Sequence, residues 1–167
     1  MIDIIKAYIK TILKECSNIP DNKIFLSAKE ESQYKYAPWI SILTKDATLE
    51  KKYSNYATDE ASNLIIQNYL IEQPFNVAIC TQTEKETSSI VEKFLSKLKR
   101  KYVFQLEDDE VKPVEIIAKN ISYSDNISVT NAYTFAVIEV VFKYGVFSIE
   151  ESVIINNINL NNVNYGG

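Results

Sequence analysis

The sequence has no histidine, three glycines and two cysteines among 167 residues, and Arg100 is its sole arginine. Each shortage excludes something. Without imidazole there is no Ser-His-Asp triad, no Cys-His dyad and no His-ligated zinc. Gly166 and Gly167 lie together in the last positions of the sequence, so Gly145 is the one glycine in its body. Neither G-x-G-x-x-G nor G-x-x-x-x-G-K-[ST] can be written, which removes the glycine-rich phosphate cradles.

Positive charge is scarce as well. The net charge is −4 and the pI is near 5.0, a poor basis for binding duplex nucleic acid, which needs cations to neutralise phosphates. The one basic run, Lys97 to Lys101 (KLKRK), reads as the complement to the negative end of a preceding helix. Long apolar runs are also missing. The opening MIDIIKAYIK interleaves Asp3, Lys6 and Lys10 with apolar residues, unlike a signal-peptide core, and no run approaches the ~18–20 residues of a membrane span. The expectation is a soluble chain, intracellular at synthesis, with neither a membrane nor a specific nucleic acid as partner. Cys16 and Cys80, far apart and set among apolar residues, are expected to be free, buried small hydrophobes.

What is present is patterned. Ile5, Tyr8, Ile9, Ile12, Leu13 and Cys16 recur at helical spacing and predict a helix over 2–17. Short β-like runs follow at Lys23–Ala28 and Pro38–Thr44. Residues 45–63 are polar, carry tyrosines and show no clear period, so they are expected to form a long projecting loop. Leu64–Ile71 and Phe75–Thr81 read as two strands of a hairpin turning at Gln73-Pro74. Thr83-Glu84-Lys85-Glu86 is a capping box. Behind it Ile90, Val91, Phe94, Leu95 and Leu98 form an apolar stripe, predicting a second helix over 84–99.

Tyr102–Leu106 and Val114–Tyr123 read as strands separated by the acidic turn 107–110 (EDDE). Ala132–Phe142, which contains FAVIEVVF, reads as a central strand covered on both faces, with Gly145 turning the chain out of it. Glu139 is the single charge in that run, expected near a sheet end or paired with a lysine. After Ser152 the sequence fills with asparagine and is expected to hold a last strand and a tail. The order predicts an α+β fold: a largely antiparallel or mixed sheet with two helices packed on it. Residues 1–155 form one domain in this reading, and 156–167 are an Asn-rich C-terminal tail.

Candidate chemistry is sparse. Asp108, Asp109 and Glu110 are adjacent on one turn, where carboxylates splay into water instead of converging in a cleft. No D-x-[DN]-x-[DN]-G loop exists for calcium. No catalytic residue, metal site or cofactor is expected, and the chain is not read as an enzyme. Tyrosine, by contrast, is abundant at 11 residues. Tyr34, Tyr36, Tyr53 and Tyr56 fall in loop-like sequence, where aromatics anchor protein interfaces. Trp39, at a strand start, is expected in the core.

The segment QPFNVAICTQTEKETSSIVEKFLSKLKRKYV resembles the middle of the tail-terminator (tail-completion) proteins of tailed bacteriophages and phage tail-like particles. KNISYSDNISVTNAYTFAVIEVVFKYGVF, followed by Glu150-Glu151, resembles the closing hairpin of that family. The likeness covers roughly residues 2–155 and lies in element order and hydrophobic pattern. It implies a structural virion or tail component: a homo-oligomeric ring, hexameric in this family, that caps the tail tube and ends its polymerisation. Partners would be the tube and sheath or collar/connector proteins, and the place of action a virion or tail-like particle assembled in the bacterial host cytoplasm. The exposure pattern puts partner contacts at Lys51, Lys52, Tyr53, Tyr56, Asp108, Asp109 and Glu110, and on the tail after Ser152. The competing reading is a small acidic monomeric binding module of immunity or adaptor type.

Overall fold

A computed structural model describes residues 1–31, 36–58, 64–106, 111–127 and 132–150. The chain opens with helix α1, Ile2–Cys16, which buries Ile5, Ile9, Ile12, Leu13 and Cys16. Tyr8, on the same stripe, is half-buried and lies 4.6 Å from the Tyr102 ring and edge-on to Phe104 at 5.5 Å. Next come β1 (Ile24–Phe25), α2 (Ala28–Glu31), β2 (Trp39–Thr44), β3 (Thr48–Thr58) and β4 (Leu64–Thr81). Helix α3 (Glu84–Lys97) leads into β5 (Lys101–Gln105), β6 (Val111–Ile127) and β7 (Ala132–Glu150). None of the described helices is long and apolar enough to cross a membrane.

The described strands form one sheet in the order β1-β2-β4-β7-β6-β5, with β3 paired to β4. β1 and β2 are parallel and all other pairs antiparallel. The fold is therefore α+β with a mixed sheet, as the sequence predicts. β7 is central, between β4 and β6. Helices α1 and α3 cover the inner face, where Ile40, Ile42, Phe75, Val77, Ile79, Ile138, Val140 and Phe142 are all fully buried. Each such side chain contributes about 1.5–3 kcal/mol relative to exposure.

The spine is longer than expected. The predicted hairpin at Gln73-Pro74 does not form: residues 64–81 are a single 18-residue strand, about 60 Å at ~3.3 Å per residue. It pairs with β7 from Leu64↔Glu150 to Thr81↔Thr134. Proline is tolerated because of where it sits. On the other side of β4, β2 pairing ends at Phe75 and β3 pairing begins at Glu72. Pro74, which has no N–H to offer, falls in that gap. Its carbonyl accepts from Lys45 N–H at 3.0 Å, and the buried Gln73 amide donates to Lys45 O at 2.7 Å.

Three further expectations are corrected. Residues 45–63 are not a loop over most of their length, since Thr48–Thr58 is a strand on the outer half of β4. Leu49 and Tyr53 are both strongly exposed, so this strand carries no apolar alternation to read. Tyr53 sits at φ 45 within a register shift between Lys51 and Ser54, a bulge that further blurs the pattern. Gly145 does not turn the chain: β7 runs through it to Glu150. Finally, the expected strand over 23–28 shrinks to two residues and α2 follows it. There Ser27 Oγ accepts from Glu30 N–H at 3.3 Å and Glu30 accepts from Leu26 N–H at 2.9 Å, a short helical start of the capping-box kind.

Among the described residues, helices cover one face of the central strand. On the other, Val137, Glu139 and Lys143 are half-buried and Val141 is fully buried, and charge spans the surface. Glu139 pairs with Lys45 at 3.4 Å, the lysine partner expected for it. Glu72 binds Lys143, and Lys119 approaches it at 3.8 Å.

Candidate interaction surfaces

The two halves of the β4–β7 pair differ. In β4 the residues from Leu64 to Glu72 are all half-buried, whereas Phe75, Val77, Ala78, Ile79, Cys80 and Thr81 are buried. Phe75, Val77, Ile79 and Thr81 share the face that the helices cover, and the first set projects beyond them as an arm flanked by β3.

At the helical end, α3 is seated by a polar knot. Thr83 Oγ1 accepts from Glu86 N–H at 3.3 Å, the cap that the sequence predicts. Thr87 is fully buried; its hydroxyl donates to Thr134 O at 3.2 Å and lies 2.8 Å from Thr81 Oγ1. This ties the first turn of α3 to the ends of β4 and β7. The basic run at the helix end divides. Lys97 closes α3 and pairs with Glu15 of α1 at 2.7 Å, while Lys99 and Arg100 lie past the helix and Lys101 begins β5.

A cleft opens along the arm. β6 pairs with β7 from Ile127↔Ala132 to Glu115↔Lys143 and then stops. Val111–Val114 continue beside β5 instead. Pro113, which cannot donate to a ladder, lies in this diverging stretch. The gap has a volume of about 760 Å³ and is walled by Tyr102 and Val114 on one side and Tyr144 and Gly145 on the other. Among the described lining residues, Lys99, Lys101 and Lys143 rim it with the carboxylate of Glu115, and Lys143 is already paired with Glu72. Lys99 Nζ stands 5.3 Å over the Tyr102 ring, and Lys112 Nζ 5.7 Å over Tyr144. A chain of net charge −4 thus presents here a locally cationic, aromatic-walled groove beside a strand edge. That is recognition chemistry for an extended acidic segment.

The residues expected to make contacts are placed as follows. Lys51, Lys52 and Tyr53 come together on β3, where Lys52 pairs with Glu50 at 2.7 Å and Tyr53 is 69% exposed. Tyr56 follows on the same strand. Lysines and a bulge on an edge strand guard it against uncontrolled pairing. Tyr36 is exposed and Trp39 half-buried. Tyr34, Asp108, Asp109, Glu110 and the segment after Glu150 lie outside the described residues. The cleft was missed from sequence; its signals were the basic run read as a helix end and Pro113 within a β-prone run. Among the described residues no group of three or more His, Cys, Asp or Glu could hold a metal. Cys16 and Cys80 are free and buried, as expected. No protein-family model and no curated protein matches the chain.

Proposed function

We propose that the protein is a ring-forming structural component that caps the tube of a phage tail or tail-like particle and ends its polymerisation. The observation that carries this reading is the projecting arm with two different surfaces on its opposite sides. β3 flanks β4 on one side, and the cleft where β6 leaves β7, with Lys99 and Lys101 at its rim, lies on the other. A ring of identical subunits is built from heterologous contacts, in which one surface of each copy meets a different surface of the next. The resemblance of element order to tail terminators supplies the tube as partner and the particle as place of action. The arm is the natural contact for neighbouring subunits, and Lys51, Lys52 and Tyr53 on β3 are available to the tube or collar.

Electron microscopy of particles from a strain lacking this gene tests the proposal. Overlong or headless tails are the expected result, and normal particles would remove it. Light scattering of the purified chain with and without tail tubes is the companion measurement. A chain that stays monomeric and leaves tube ends open would point instead to the small acidic binding module.

A further inference from the structure

Past Ile116, whose N–H reaches Arg100 O at 2.8 Å, β6 has β7 on one side and, among the described residues, no strand on the other. From Ala118 to Ser124 every residue is exposed. By register Ile121 and Tyr123 stand opposite Ile138 and Ala136, which are fully buried. They therefore belong to the face that the helices cover, yet they are 42% and 50% exposed. The helices stop short of β6 here and leave two apolar side chains on a strand edge.

Native edge strands are guarded by charge, proline or a bulge. β6 has a bulge between Ala118 and Asn120, and past it Asn120-Ile121-Ser122-Tyr123-Ser124 holds neither charge nor proline. This stretch complements itself when reversed. In antiparallel pairing centred on Ser122, Asn120 falls opposite Ser124, Ile121 opposite Tyr123, and Ser122 opposite its own copy. An aromatic residue then meets a β-branched one twice on the helix-covered face, a favourable cross-strand pair. Small polar residues meet on the other face. The β3 strand of another copy is the poorer fit. Its bulge between Lys51 and Ser54 interrupts a ladder, and its lysines meet no carboxylate between Asn120 and Ser124. Self-complementarity selects a second copy of β6.

We propose that β6 of one copy pairs antiparallel with β6 of a second across a two-fold axis at Ser122, joining the two sheets into one. Ile121 and Tyr123 of both copies then form an apolar strip between the two helical layers. The contact is isologous, the same surface on both subunits. It goes beyond the ring-forming reading and uses other residues. The arm pairs with Lys143–Glu150 of β7, whereas Asn120–Ser124 pairs with Phe135–Glu139.

The test uses the full-length chain. Sedimentation velocity of the purified protein, without tubes, should show a dimer. Ile121→Glu/Tyr123→Glu sets carboxylate against carboxylate across the axis and should weaken the dimer about tenfold or more. Ile121→Lys/Tyr123→Glu removes the same apolar side chains but sets ammonium against carboxylate, and should recover most of that loss. Cysteines read the register. Ser122→Cys lies on the axis and should give a disulfide-linked homodimer under a mild oxidant. Asn120→Cys and Ser124→Cys should link to each other when mixed, and far less to themselves. The native thiols are buried, and Ser54→Cys, at an exposed position on β3, reports random linkage. A chain that stays monomeric at every concentration overturns the proposal. So does a dimer indifferent to both charge patterns. Linkage of Ser122→Cys to Ser54→Cys in preference to its own copy also overturns it, and marks a head-to-tail contact with β3. None of these outcomes bears on tail morphology in the deletion strain, so the terminator reading stands or falls separately.

Discussion

Gly145 lies beneath the ring of Phe147: a Cβ at position 145 would stand 2.4 Å from Phe147 Cζ and 2.5 Å from Cε2. Residues two apart on a strand share a face, and the bare Cα lets the ring settle on the backbone. Gly145→Ala must push the ring aside and is expected to cost about 1 kcal/mol. In a Phe147→Leu background the same change should be neutral or slightly stabilising, because alanine loses less backbone entropy on folding. Denaturant unfolding of the four chains gives the coupling. Equal effects in both backgrounds would show that the ring does not depend on the glycine.

The ion pair Glu72–Lys143 joins the outer halves of β4 and β7. The hydrogen bond from Lys143 holds the Glu72 carboxyl below its ordinary value of 4.5, against the opposing effect of partial burial. The same bond lifts Lys143 above 10.5. A carboxyl whose folded pKa is depressed stabilises fully above its unfolded value and loses that contribution as pH falls through the folded one. The raised lysine contributes fully below its unfolded value and loses it as pH climbs through the folded one. Glu72→Gln should therefore lower stability by about 0.2–1 kcal/mol across the range between those values. The gap should close at both extremes. Melting curves over pH check this; a gap independent of pH would contradict it.

Thr87→Val keeps the shape but removes the hydroxyl that donates to Thr134 O and meets Thr81 Oγ1. Polar atoms left unpaired in a buried site cost about 1–3 kcal/mol, and that loss is expected in chemical denaturation. Thr87→Ser retains the hydroxyl and should fall clearly short of it. A harmless valine would mean that the knot does not seat α3.

Burial pushes the Cys80 thiol up to about 11 and raises Cys16 as well. The thiolate is the reactive form, so neither residue should react with Ellman's reagent at pH 8 in the native chain. Both should react in denaturant. Prompt native labelling would contradict the burial of these side chains.

Several features were legible because they are local. The stripe from Ile5 to Cys16 and the box at Thr83–Glu86 concern residues three and four apart, so the sequence displays them directly. β7 announced its central place through an apolar run from Phe135 to Phe142 broken only by Glu139. What failed to show was pairing between segments far apart in the chain. β3 has no apolar face, and its strand character comes from lying along β4. Pro74 looks like a turn until the change of strand partner from β2 to β3 explains why no donor is needed there. Gly145 looked like an exit from the sheet because the sequence cannot display the Phe147 ring above it.

By itself the sequence determined the class of fold, the two long helices, the central strand and the absence of histidine or glycine-loop chemistry. These follow from composition and short-range periodicity. Tertiary structure decided where β6 leaves β7, and with it the lysine-rimmed cleft. A ladder ends where the geometry of three strands no longer permits a shared register, and no single segment carries that information.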